Sequence, residues 1–172
     1  MHDTASRNLT SSKPFTAQSR IFSLNSLLLS SQVQKSSAVV AGAKRHRKSY
    51  PLDYTASVIR IYDELKGQPD ESFLKTLTTI FHRDEADVGA ALLLAQTQAR
   101  KGSLLLASGT LEKLFHALKD SPDVKFAPGL VSLAVSLFVK AGKEEKATAL
   151  LLDAKMYWTK KGLLVEDIPT LS

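Results

Sequence analysis

The 172-residue sequence contains no cysteine, which excludes disulfides, thiolate metal sites and cysteine nucleophiles together. It also has no run of about 18 consecutive apolar residues, the length a helix needs to cross a bilayer. No membrane insertion is therefore expected, and short apolar clusters such as Gly89 to Ala95 read as buried helix faces. A glycine-rich phosphate loop is missing. His2, His46, His82 and His116 do not fall at metal-ligand spacing. The acidic groups Asp84-Glu85-Asp87 and Glu144-Glu145 stand at the starts of helical patterns, where they complement the positive end of the helix dipole. The expectation is a chain that is not an enzyme and needs no cofactor. Acidic residues are scarce in the N-terminal third. There Arg7, Lys13, Arg20, Lys35, Lys44, Arg45, Arg47 and Lys48 face only Asp3 and Asp53, which accounts for the whole net charge of +6. Any attraction to a polyanion belongs to that third.

What the chain does have is a segment that occurs twice. Ala99-Arg100-Lys101-Gly102, with Ala107 five residues beyond the glycine, returns as Val139-Lys140-Ala141-Gly142 with Ala147. Apolar stretches lead into both glycines. In each copy a small or β-branched residue, Ala95 or Val135, lies seven positions before the glycine. That register is the tetratricopeptide pattern, in which small residues let two antiparallel helices approach and a glycine ends the first helix in a left-handed conformation. Twelve residues past the glycine the copies carry Leu114 and Ala154, so only the second keeps a small residue. The spacing exceeds the usual ~34 residues of this repeat, and Lys119 to Val124 reads as an insertion in the connection.

The remaining chain divides into helical patterns without a strand pattern. Residues 1–13 are rich in Ser, Thr and Asn and read as a disordered tail. Helical patterns follow from Phe15, from Val33 to Ala43 before the basic run, from Tyr54 to Leu65, and from Glu71 to Phe81. Tyr50-Pro51 and Lys66-Gly67-Gln68-Pro69 mark breaks. The two repeats supply helices at about 87–101, 103–119, 128–141 and 143–161, with Pro128 suited to a first turn. The expected architecture is all-α, antiparallel helix pairs stacked as a TPR-like α-solenoid over residues 14–162, with 163–172 as a C-terminal tail.

The strings Asp123-Val124-Lys125-Phe126-Ala127-Pro128-Gly129-Leu130-Val131, Leu137-Phe138 and Ala154-Lys155-Met156-Tyr157-Trp158 resemble the end of the helical-repeat region in the seventy-two-kilodalton subunit of the signal recognition particle, particularly its fungal-type versions. Asp87-Val88-Gly89 and Leu111-Glu112-Lys113-Leu114 are similar to that region as well. The resemblance covers residues 84–161 clearly and residues 15–81 more weakly. It implies a scaffold in protein targeting to the endoplasmic reticulum, cytoplasmic and at that membrane when particle-bound, whose repeats grip a segment of the sixty-eight-kilodalton subunit. The family's Lys-rich tail and its Pro-Asp-Pro-Glu-Arg-Trp motif for particle RNA do not occur in these 172 residues, so a short form without that RNA contact is expected.

The tetratricopeptide register places Gln96, Arg100, Ser132, Ser136 and Lys140 on the concave side, toward a bound partner, and puts Leu93, Leu94, Leu111, Leu133, Phe138 and Leu151 in the packing layer. Exposed solenoid ends also favour self-association. Two other readings stay open. Lys44-Arg45-His46-Arg47-Lys48 can neutralise phosphates and form a sequence-tolerant RNA-binding element. The Ser-rich, basic leader also resembles a mitochondrial import segment.

Overall fold

The computed structural model describes residues 17–32 and 36–162, so the expected tails at 1–13 and 163–172 lie outside the described residues. The described chain is all-α, without strands. Its described residues fall into two compact units that divide between Thr76 and Leu77.

In the first unit α1 (Ala17–Gln32), α2 (Ser36–Ser49) and α3 (Thr55–Leu65) pack against one another. Leu27, Val39, Ala43 and Ala56 form the buried cluster, with Leu24 and Ile59 against it. The packing is tight at Gly42, where an added Cβ would lie 2.5 Å from Leu27 Cδ1. The second helix runs six residues beyond the Ala43 limit read from its apolar pattern, through the basic run to Ser49. Two causes extend it. His46, Arg47 and Lys48 occupy its last turn, where cations complement the dipole, and His46 is buried at 1% exposure rather than turned to solvent. At the C-terminal ends of α1 and α3, buried Asp63 accepts from Ser31 Oγ at 2.9 Å and pairs with Lys66 Nζ at 3.0 Å. Lys66 Nζ also donates to the Ser31 carbonyl at 2.7 Å. Burial works to raise the Asp63 carboxyl, and hydrogen bonds from Lys66, Ser31 and Ser36 outweigh it, holding the group below the usual carboxylate range.

A single 3₁₀ turn, Asp70–Ser72, leads into α4 (Phe73–Arg83), within which the two units divide. The second unit then contains two helix pairs, α5 (Val88–Arg100) with α6 (Leu104–Ala117) and α8 (Pro128–Lys140) with α9 (Glu144–Lys160). The α6 helix also packs on α8, so the pairs adjoin as neighbouring repeats do. Asp87 caps α5, its carboxylate accepting from Ala90 N at 3.2 Å.

Both first helices end alike. Ser103 N donates to the Gln98 carbonyl and Gly102 N to the Ala99 carbonyl, at 2.9 and 3.0 Å; Lys143 N to Phe138 and Gly142 N to Val139 repeat the arrangement at 2.8 and 3.0 Å. These are two Schellman motifs, with Gly102 at φ 83° and Gly142 at φ 75°. The small residues of the register are buried as expected: Ala95, Ala107, Ala147 and Ala154 are at most 1% exposed. Leu114, in the slot where Ala154 keeps the pattern, is equally buried. The insertion between repeats carries a one-turn helix, α7 (Pro122–Lys125).

Candidate functional site

Two residue sets were singled out in the sequence, and the structure treats them differently. Four of the five residues expected to face a partner converge. Gln96 and Arg100 on α5 and Ser136 and Lys140 on α8 line a groove of about 450 Å³. Each pair occupies equivalent repeat positions, six and two residues before its turn glycine, so the convergence follows from the stacking of the repeats.

The floor of the groove is apolar, supplied by Leu92 and Ala99 of α5, Leu104 and Leu111 of α6, and Leu133 and Leu137 of α8. Leu133 corrects the sequence reading: expected in the packing layer, it is 47% exposed and lines the groove. Ser132, expected in the groove, is exposed but does not line it. At 100° per residue, positions 133, 136, 137 and 140 form one stripe on α8, and Ser132 lies roughly 90° from its centre. The rest of the expected packing layer divides: Leu94, Leu111, Phe138 and Leu151 are buried, and Leu93 is half-buried.

No acidic side chain lines the groove among the described residues, and neither Arg100 nor Lys140 takes part in an ion pair there. Two acids elsewhere in the second unit, Glu112 and Asp123, are occupied. Glu112 on α6 pairs with Lys146 and, at 3.6 Å, with Lys143, joining the start of α9 to the preceding repeat. Asp123 in α7 accepts from Lys161 Nζ at 2.8 Å and from the Tyr157 hydroxyl. Those two bonds hold its carboxyl below the usual range, and the same contacts, Asp123 first, push Lys161 up. Trp158 Nε1 donates to the Phe126 carbonyl at 2.6 Å. The end of α9 therefore clasps the connection that leads into α8 and fixes how α8 presents its stripe.

The basic run does not act as one surface. Lys44, Arg45 and Lys48 are exposed and Arg47 is half-buried. His46 is removed from any solvent-facing role because both ring nitrogens are used inside the unit. Nε2 lies 2.9 Å from Asp53 Oδ2 and Nδ1 2.9 Å from Ser23 Oγ. An ionised carboxylate only accepts, so Nε2 carries the proton toward Asp53. Asp53 also accepts from Thr55 N and Oγ1 at 3.1 and 2.7 Å. Burial raises its carboxyl, and the bonds from His46 and Thr55 outweigh that, leaving it below the usual range.

The order serine, histidine, aspartate has the connectivity of a nucleophile, its base and an orienting group. Acyl transfer additionally needs donors aimed at a developing oxyanion, and Ser23 sits in the interior of α1, where backbone N–H groups are committed to the helix. This chain of bonds ties α1 and α2 to the segment that leads into α3. The sequence reading missed it, because residues 23, 46 and 53 share no periodic face.

Comparison with protein-family models, curated proteins and solved structures finds no match. The functional reading therefore rests on the chemistry of the groove and on the residues of the sequence itself.

Proposed function

We propose that the chain is a non-enzymatic helical-repeat scaffold that holds a segment of a partner protein in the groove between α5 and α8. The observation that carries this reading is the pairing of a leucine floor with two rim cations, Arg100 and Lys140, that have no acidic partner of their own. A segment that fits presents apolar side chains at helical or extended spacing and a carboxylate near each end. Burying apolar surface contributes about 25 cal/mol per Å². Exposed ion pairs add only about 0.2–1 kcal/mol each, so the leucines set affinity and the cations set register and polarity. The resemblance of residues 84–161 to the seventy-two-kilodalton subunit makes the sixty-eight-kilodalton subunit of the signal recognition particle the partner to try first, with targeting to the endoplasmic reticulum as the process served.

The test is binding of a labelled C-terminal segment of the sixty-eight-kilodalton subunit at low and at about 0.5 M salt, where screening is nearly complete beyond a few ångströms. Particle RNA is titrated in parallel. Saturable peptide binding that persists in salt and is lost in Leu133→Asp supports the proposal. RNA binding alone, abolished by salt and by neutralising Lys44, Arg45 and Lys48, transfers function to the basic run. A folded chain that binds neither refutes both readings.

A further inference from the structure

The face that α1 turns to α2 is unusual for a helix contact in being rich in hydroxyls. Ser23, Ser26 and Ser30 recur along α1 at helical spacing, opposite Ala38, Gly42, Arg45 and Ser49 of α2. Between them lies a crevice of about 430 Å³, within the 300–1,000 Å³ typical of small-molecule sites. A contact whose only role is packing gains nothing from serines, and leucines in those positions fill space better. The small residues Ala38 and Gly42 also line the crevice, and Leu27 and Phe22 give it apolar walls.

Arg45 and Lys48 both line the crevice. Neither makes an ion pair among the described residues, although the same unit holds Asp53 and Asp63, each already saturated by other donors. Two cations without counter-charge, three flanking serine hydroxyls and an apolar wall match one chemical group on a small body. We propose that this crevice binds a phosphate monoester carried by a small organic molecule.

Two positive charges balance the dianion. Arg45 supplies a planar fork and Lys48 a point charge, a combination suited to phosphate oxygens. Ser26, Ser30 and Ser49 provide further donors around it. Ser23 is held differently, since its hydroxyl is bonded to His46 Nδ1 and His46 is anchored by Asp53. That relay fixes the α1–α2 spacing at the crevice and so sets the distance between the serine row and the cations. The site lies wholly in the first unit, so it stands or falls independently of the groove between α5 and α8.

The proposal is tested on the full chain by titration calorimetry with phenyl phosphate, compared with inorganic phosphate. Saturable binding is expected, tighter for phenyl phosphate because the ring meets Leu27 and Phe22. Arg45→Ala combined with Lys48→Ala should weaken it at least tenfold. Lys44→Ala, which removes a neighbouring exposed cation outside the crevice, should leave it unchanged. Circular dichroism must show wild-type helicity for each variant. Ser26→Ala with Ser30→Ala, which preserves every charge, should weaken binding several-fold. Vesicles with and without phosphatidylinositol phosphate distinguish the source: competition with phenyl phosphate identifies a lipid headgroup, and its absence a soluble metabolite. No binding to the folded chain overturns the proposal. So does an equal loss in Lys44→Ala, which means diffuse charge attraction, or vesicle or RNA binding that ignores Arg45 and Lys48.

Discussion

Replacing glycine by alanine at three positions should change stability with opposite signs, and the structure supplies the arithmetic. Gly102 and Gly142 have φ of 83° and 75°, and a Cβ built on either meets no atom within 4 Å. Alanine there gains and loses no contact, so only backbone terms remain. The left-handed conformation costs an L-residue about 1–2 kcal/mol. The reduced freedom of the unfolded chain returns about 0.4–1 kcal/mol of that. A net loss of about 1 kcal/mol follows for each, equal at the two sites because their surroundings are equivalent. Gly109 lies inside α6, again with nothing within 4 Å of its Cβ. Alanine there should stabilise by about 0.5–1 kcal/mol. Trp158 is the only tryptophan and belongs to the second unit, so its fluorescence during urea unfolding reports this unit selectively. Losses of this size move the midpoint by about 0.5–1 M for a unit of this length. A neutral or stabilising Gly102→Ala would mean that the first pair does not end in a Schellman motif, and the repeat reading would fail with it.

Three further outcomes are expected. Leu133→Asp should leave the unfolding midpoint within about 0.5 kcal/mol of wild type while abolishing partner binding, whereas Phe138→Asp, at a site 3% exposed, should prevent folding of the second unit as judged by circular dichroism. Asp53 and Asp63 have folded-state values below their unfolded ones, so the stability they contribute is complete above about pH 4 and is lost as pH falls through the lower folded values. Helicity of the wild type should therefore fall with acidification over that window, and Asp63→Asn should flatten the dependence while lowering stability at neutral pH. Trp158→Phe removes the donor to the Phe126 carbonyl and should cost about 1 kcal/mol, seen as faster amide exchange in the connection between α6 and α8.

The second unit was legible in the sequence because its signals are local. A glycine that needs positive φ, alanines at fixed offsets from it and a proline in a first turn each specify their own few residues. Of the five residues that this register put on the concave side, four line the groove. The misplacement of Ser132 and Leu133 is an error of one residue, which on a helix turns a side chain by about 100°. Apolar character pulled Leu133 into the assigned core, although roughly half of a folded surface is itself apolar. The first unit was less legible because long-range polar contacts decide it. His46 reads as one member of a basic run until Ser23 and Asp53 are brought to its two nitrogens, and the pattern of apolar residues then underestimates α2 because a buried histidine carries the helix onward.

The strings through which residues 84–161 resemble the targeting-particle subunit meet in space: Asp123 and Phe126 from one are hydrogen-bonded by Tyr157 and Trp158 from the other. What they encode together is the seating of α8 on the end of α9. Such residues fix the geometry of a repeat and are indifferent to what the repeat holds. Under the proposed function, partner choice falls instead to Leu92, Gln96, Arg100, Leu133, Ser136 and Lys140, which line the groove. Exchanging Arg100 and Lys140 for glutamates should thus leave the clasp and the fold intact while reversing the preferred charge of the bound segment. A variant that bound acidic and basic segments equally would show that the rim cations do not select the partner.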